Sequence, residues 1–173
     1  FDVVNAGLTK SICDAVRSSG KNTPIILASS TQVDLNNAYG KSKLDAENIM
    51  KLLEIDTGCP VYAYRLPGVF GKWCKPNYNS VVATFCFNIS HNLPIQVNNP
   101  DLELSLVYID DVVKEFIRVI QGEKADNKEF SVKPEYKIKL RDLADQIIKF
   151  RESRDSLITE RVGSGFIGKL YST

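Results

Sequence analysis

Two short apolar runs on either side of a long helical pattern constrain the fold more than any other feature. Residues 25–28 and the β-rich run Val61–Leu66 are typical of buried parallel strands. The helical pattern between them ends at Gly58, with Asn36 or Asn37 as its expected N-cap. Its expected inward residues are Leu44, Ile49, Met50, Leu52 and Leu53. Strand, helix and strand in this order predict a βαβ unit in a parallel sheet.

The rest of the sequence predicts further helices and short strands of an α/β fold. Asp110 and Asp111 open one helix, where carboxylates complement the helix dipole and are expected to act as caps. His91 is expected to lie exposed after another helix, which begins near Val81. Helices are also expected at residues 9–19 and 140–151, and strands at residues 95–97, 102–109 and 130–132.

Composition and charge exclude several classes of function. The chain has 173 residues, 43% hydrophobic and 25% charged, which is typical of a soluble globular protein. A formal net charge of +1 does not favour binding to nucleic acid or to an anionic membrane. No apolar run approaches the ~20 residues needed to cross a bilayer, and no signal peptide is recognised.

The four cysteines form no C-x-x-C pair, and the chain has a single histidine, so we expect no metal site. We interpret the cysteines as reduced thiols, which indicates a cytoplasmic protein. The cysteines are Cys13, Cys59, Cys74 and Cys86.

Tyr39 and Lys43 are the strongest candidates for chemistry. They lie four residues apart, so a helix would place both on one face. An unperturbed phenol has a pKa near ~10, and a nearby ammonium group favours the phenolate. Ser30, at the end of the preceding strand, could hydrogen-bond the same substrate oxygen, and Thr31 is its alternative. The pattern predicts a proton relay for carbonyl–alcohol interconversion, although such a pair also occurs on ordinary solvated helix faces.

The strand-end serine followed by Tyr-x-x-x-Lys resembles the extended short-chain dehydrogenase/reductase superfamily, in its branch that modifies nucleotide sugars. The resemblance makes Tyr39 the general acid, gives Lys43 contacts to Tyr39 and to the nicotinamide ribose, and makes Ser30 the residue that orients the carbonyl. It also implies a cofactor lining of Tyr39, Lys43, Arg65, Leu66, Pro67 and Val69, although a plain strand and turn is the alternative at residues 65–69.

Residues 71–80 narrow the resemblance to bacterial capsular-polysaccharide reductases, in which a reductase domain precedes a metal-binding cupin domain. Those proteins imply NADPH as cofactor (NAD is possible), a UDP-linked 4-keto-6-deoxy sugar as substrate, and a homo-oligomer. The implied substrate contacts are Thr31, Lys72, Lys75, Asn79 and Ser80, with a solvated loop as the alternative for the last four.

The resemblance also defines the expected fold class. We expect the C-terminal part of a Rossmann-like, doubly wound parallel sheet with an interleaved smaller substrate-binding region, and the N-terminal cofactor half absent. Residues 1–71 would belong to the dinucleotide-binding domain, and residues 72–173 to the substrate-binding region with returning Rossmann elements. Residues 163–168 match G-x-G-x-x-G but lack the following helix and acidic residue of a dinucleotide site, so we expect a flexible tail.

Two other functions compete with the reductase, whereas the sequence argues against a third, a dehydratase. Dehydratases of this superfamily carry an Asp-Glu pair after the strand-end threonine, whereas Thr31 and Gln32 follow Ser30 here. A C4-epimerase uses the same serine, tyrosine and lysine and therefore remains an alternative. The second alternative is a non-catalytic scaffold, which keeps the fold and only binds partners.

Overall fold

The computed structural model describes residues 1–123 and 131–173. These residues form two compact units, each with a sheet of its own. The first unit comprises Phe1–Pro67 and Arg118–Val132, and the second comprises Gly68–Ile117 and Lys133–Thr173.

A parallel strand pair and two long helices make up most of the first unit. After a π-helix at Val3–Gly7, its elements are α1 (Leu8–Ser19), β1 (Ile25–Ser30), a 3₁₀ turn (Thr31–Asp34), α2 (Ala38–Thr57) and β2 (Val61–Leu66). Strands β1 and β2 are parallel, with Ile25 opposite Val61 and Ser30 opposite Leu66. The predicted βαβ unit is therefore confirmed, and the carboxyl ends of its strands lie side by side.

The helices of the first unit end and pack as the sequence predicts, with one exception. Gly20 and Gly58 adopt the left-handed conformation after α1 and α2, at φ 64° and 72°. Leu52, expected to face inward, is 57% exposed because it lies on the outer face of α2. One core cluster of the unit is formed by Cys13, Met50, Leu53 and Cys59, with Val16, Ile25, Leu27, Ile49 and Val61 packed against it.

A mixed three-stranded sheet, covered by helices, forms the second unit. Its strands are β3 (Gly68–Phe70), β4 (Glu103–Tyr108) and β5 (Glu135–Lys139). The central strand, β4, is parallel to β3 and antiparallel to β5. Its helices are α3 (Val81–Ser90), α5 (Leu140–Ser156), α6 (Gly165–Tyr171) and most of α4 (Ile109–Ile120), whose last residues, from Arg118, belong to the first unit.

Aromatic and aliphatic side chains from the sheet and helices of the second unit share one core. Phe70 lies at its centre, with ring centroids 5.3 Å from Tyr108 and 5.6 Å from Phe166. Leu143 of α5 and Leu170 of α6 are 0% and 2% exposed. The buried members are Phe70, Val82, Phe85, Leu106, Tyr108, Leu140, Leu143, Ala144, Ile147 and Leu170.

Three local predictions in the second half of the sequence are wrong. Residues 95–97 form no strand. The tail expected to be flexible at residues 163–168 enters α6, which packs on the core through Phe166 and Leu170. Of the strand expected at residues 130–132, Phe130 lies outside the described residues, and Ser131 and Val132 are not in a strand.

Candidate active site

Ser30 ends β1 at the edge of the sheet where the strand gives way to the 3₁₀ turn. The residue is 8% exposed, and its Oγ accepts a hydrogen bond of 3.1 Å from the backbone N–H of Gln32. This bond caps the turn and holds the hydroxyl at the strand end. The hydroxyl hydrogen remains able to donate to a substrate oxygen.

A glycine allows the start of α2 to lie directly against that turn. Asn37 is the N-cap of α2, and its Oδ1 accepts a hydrogen bond of 2.7 Å from the Gly40 N–H. A Cβ on Gly40 would overlap the carbonyl oxygen of Gln32. Only glycine therefore permits this approach, which brings the first turn of α2 against the segment that follows Ser30.

Tyr39 and Lys43 lie on the same side of α2, as their spacing predicts. The Lys43 Nζ is 5.8 Å from the centre of the Tyr39 ring and donates a hydrogen bond of 3.1 Å to the carbonyl oxygen of Ala28. That carbonyl belongs to β1, two residues before Ser30. Burial lowers the pKa of Lys43 below its ordinary value, because the ammonium group is partly removed from water.

The Lys43 ammonium group has unused capacity for a ligand. It carries three N–H donors, and the hydrogen bond to Ala28 occupies one of them. The donors that remain, on a partly desolvated cation, fit the hydroxyl groups of a nicotinamide ribose. The residues present at this end of α2 are thus compatible with the cofactor that the resemblance implies.

The other expected site residues are divided between the two units. In the first, Thr31 is exposed, Leu66 is buried opposite Ser30, and Pro67 follows β2. Arg65 is held in ion pairs with Glu47, at 2.8 Å, and Asp34, at 3.5 Å. Hydrogen bonds with Glu47 raise the pKa of Arg65 above its ordinary value.

In the second unit, the expected substrate residues lie on the loop before α3. Lys72 and Lys75 are exposed, and the Lys75 Nζ is 5.7 Å from the centre of the Tyr78 ring. Asn79 is exposed, and the Ser80 Oγ caps α3 by accepting a hydrogen bond of 3.2 Å from the Ala83 N–H. Val69 is the middle residue of β3. The structure thus groups Ser30, Tyr39 and Lys43 within one unit, and the loop residues within the other.

Glu47 is a residue of the site region that sequence analysis missed. It lies one helical turn after Lys43, and its carboxylate accepts hydrogen bonds from Ser29 and Arg65. Its spacing of four residues from Lys43 is a signal that could have found it, since the two share a helix face. Its strand partners are distant in sequence and could be known only from the structure.

The described residues include neither a membrane-spanning helix nor a cluster of metal ligands. Among residues 1–123 and 131–173, no helix is long and apolar enough to span a membrane. Within the same ranges, no group of three or more His, Cys, Asp or Glu side chains could hold a metal ion.

A strand-end serine beside a Tyr-x-x-x-Lys helix, within a parallel βαβ unit, is the arrangement that the resemblance to short-chain reductases predicts. Comparison with known protein families supports this resemblance. Residues 3–132 match the model described as the NAD dependent epimerase/dehydratase family. The chain belongs to this family.

The relatives include nucleotide-sugar enzymes. The chain is 51% identical over its full 173 residues to a UDP-2-acetamido-2,6-beta-L-arabino-hexul-4-ose reductase of Pseudomonas aeruginosa. It also matches the crystal structure of the capsular polysaccharide assembling protein CapF from Staphylococcus aureus, with a TM-score of 0.90 and 40% identity over 95% of this chain. The chain spans 46% of the length of each of these relatives.

More distant structures share the fold alone. A UDP-glucuronic acid 4-epimerase from Bacillus cereus, in complex with NAD, matches with a TM-score of 0.78 at 14% identity. This match covers 98% of the chain and 66% of the epimerase. The expected α/β fold with a parallel sheet, as part of a Rossmann-like domain, is thus confirmed.

Proposed function

We propose that this chain is part of an NADPH-dependent reductase that converts a UDP-linked 4-keto-6-deoxy-hexosamine into the corresponding alcohol. The main observation in its favour is that Tyr39 and Lys43 share one side of α2, where Lys43 is bound to β1 two residues before Ser30. The name of the Pseudomonas aeruginosa relative, which is 51% identical, supports the choice of substrate and reaction.

In this proposal Ser30 and Tyr39 act on the carbonyl oxygen, and Lys43 acts on Tyr39. The Ser30 hydroxyl donates a hydrogen bond that orients the ketone, and the Tyr39 hydroxyl transfers its proton to the same oxygen as the alcohol forms. The positive charge of Lys43 stabilises the phenolate that remains on Tyr39. The nicotinamide cofactor, when bound, supplies the hydride that reaches the carbonyl carbon.

The remaining assignments concern binding. The cofactor would be lined by Tyr39, Lys43, Arg65, Leu66, Pro67 and Val69. Lys43 has donors to spare for its ribose, whereas the Arg65 guanidinium is already engaged by Glu47. We assign residues 1–71 to the dinucleotide-binding domain and residues 72–173 to the substrate-binding region.

Contacts to the substrate complete the proposal. Lys72 and Lys75 are exposed cations suited to the substrate phosphates. Asn79 and Ser80, at the start of α3, would present backbone N–H groups to the same anions. Thr31 would contact the sugar.

The test uses the full-length protein with the UDP-linked keto-sugar and either NADPH or NADH, followed by absorbance of the reduced nicotinamide. The proposal predicts turnover with the keto-sugar, faster with NADPH than with NADH. It also predicts a thermal shift with UDP-sugars. Absence of both turnover and binding would leave the non-catalytic scaffold as the better account.

A further inference from the structure

Glu47 connects α2 to both strands of the first unit. Its carboxylate accepts a hydrogen bond from the Ser29 hydroxyl, near the end of β1. It also accepts hydrogen bonds from the Nε and Nη2 atoms of Arg65, near the end of β2, and the Nη2 bond is 2.8 Å long. The Glu47 side chain is 12% exposed, so these charge-assisted bonds are partly shielded from water and correspondingly strong.

Lys43 and Glu47 hold two consecutive residues of the same strand. The Lys43 Nζ donates to the carbonyl oxygen of Ala28, and the Glu47 carboxylate accepts from Ser29. One helical turn separates the two side chains on α2. The helix can neither slide along β1 nor rotate against it without breaking one of these bonds, and Ser30 is the next residue of the strand.

We propose that Glu47 is a positioning residue, whose carboxylate fixes α2 against the ends of β1 and β2 and thereby sets the placement of Tyr39 and Lys43 relative to the Ser30 hydroxyl. This inference rests on the reductase function proposed above. Chemistry depends steeply on such placement, since a shift of about 1 Å in a reacting group can lower the rate by about 100-fold.

Arg65 is the partner of Glu47 in these contacts. Its guanidinium binds both oxygens of Glu47 through Nε and lies 3.5 Å from Asp34 on the turn that follows Ser30. Arg65 therefore connects β2, α2 and the turn. Loss of either Arg65 or Glu47 removes the bonds between them, whereas the Glu47 bond to Ser29 and the Arg65 bond to Asp34 do not depend on that pair. The effects of the two substitutions on the reaction are therefore partly coupled.

The experiment compares the full-length parent with Glu47→Gln, Arg65→Lys, Glu47→Ala, Arg65→Ala and the double alanine variant. Glutamine keeps the shape of Glu47, but its amide nitrogen cannot accept a hydrogen bond from Arg65. Glu54→Gln is the matched control, because Glu54 is an exposed carboxylate of the same helix whose side chain has no bond to any described residue. Both kcat and KM for the keto-sugar are measured well below the unfolding midpoint of each variant.

The proposal predicts that Glu47→Gln lowers kcat by about tenfold while KM stays within about twofold, because geometry rather than binding is disturbed. Arg65→Lys retains more activity than Arg65→Ala. The double alanine variant loses less than the combined losses of its two single variants, and Glu54→Gln matches the parent.

Failure of the positioning role and failure of the proposed reductase function would give different results. An active parent whose Glu47→Gln variant is folded and keeps its kcat, or changes only in KM, overturns the positioning role alone. Additive losses in the double variant also overturn it. A parent that does not consume NADPH with the keto-sugar overturns the proposed function, and the positioning role falls with it.

Discussion

Lys43 donates a hydrogen bond of 3.1 Å from its Nζ to the carbonyl oxygen of Ala28, and so joins α2 to β1 two residues before Ser30. The same Nζ lies 5.8 Å from the centre of the Tyr39 ring. One lysine therefore contacts both the strand that carries the serine and the helix residue proposed as the acid. Burial also partly removes the ammonium group from water, which changes how the stability of the protein depends on pH.

The stability contributed by Lys43 should rise with pH. Burial lowers its folded-state pKa below the ordinary value of 10.5, so the charged form is less favourable in the folded chain than in the unfolded chain. Between the two pKa values the unfolded state binds more protons, and the free energy of unfolding increases with pH across that interval.

Unfolding of the parent and of Lys43→Met, measured at several pH values from neutrality to about pH 10, tests this. The parent should gain stability relative to Lys43→Met as pH increases. Lys41→Met is the control, since Lys41 is an exposed lysine of the same helix, and its difference from the parent should not rise in this way. A difference for Lys43→Met that stays flat or falls would contradict the assignment.

Gly40→Ala should destabilise the protein and reduce turnover. The added methyl group would overlap the Gln32 carbonyl oxygen, and the start of α2 would have to move away from the turn after Ser30. Overpacking of this kind costs about 1–3 kcal/mol in the free energy of unfolding, measured by denaturant titration.

Gly7→Ala is the matched control for this glycine. A Cβ on Gly7 meets nothing closer than the Asp2 carbonyl oxygen at 3.7 Å, which is ordinary contact distance. Gly7→Ala should therefore keep or slightly increase stability. Equal effects of the two substitutions would show that the close approach at Gly40 is unimportant.

In the second unit, Asp111→Asn should weaken the attachment of α6. Asp111 opens α4, and its carboxylate accepts a hydrogen bond from Lys169, whose Nζ also lies 5.6 Å from the Tyr108 ring centre. Burial by itself lowers the pKa of Lys169, but hydrogen bonds with Asp111 and Tyr136 raise it overall. Stability from this pair is therefore present at neutral pH and lost only as pH rises through the raised pKa.

We expect Asp111→Asn to lower the free energy of unfolding by about 1–2 kcal/mol at neutral pH, since a partly buried charge-assisted bond is lost. Asp110→Asn is the control, because Asp110 is exposed in the same helical turn and shares the interaction with the helix dipole. An effect no larger than that of Asp110→Asn would show that the Lys169 bond contributes little.

Much of the first unit could be predicted because its signals are local. Continuous apolar residues mark β1 and β2, Asn37 caps α2, and Gly58 ends it. The shared face of Tyr39 and Lys43 follows from helical geometry alone. Glu47 was missed because its partners, Ser29 and Arg65, each lie 18 residues away in sequence.

The second unit was harder to predict because its strands depend on tertiary pairing. β3 has only three residues, and β5 alternates charged and apolar residues that gain their strand conformation by pairing with β4. The glycine-rich segment before Lys169 reads as a tail, yet α6 is held by burial of Leu170 and by the bond to Asp111. Contacts between remote residues therefore decide the structure there.

Tyr39→Phe in the full-length protein, assayed with NADPH and the UDP-linked keto-sugar, tests the central claim most directly. The substitution removes only the hydroxyl that is proposed to protonate the carbonyl oxygen. We predict that kcat falls by about 100-fold or more while the thermal shift caused by UDP-sugar is retained. Consumption of NADPH by Tyr39→Phe at the rate of the parent would contradict the account.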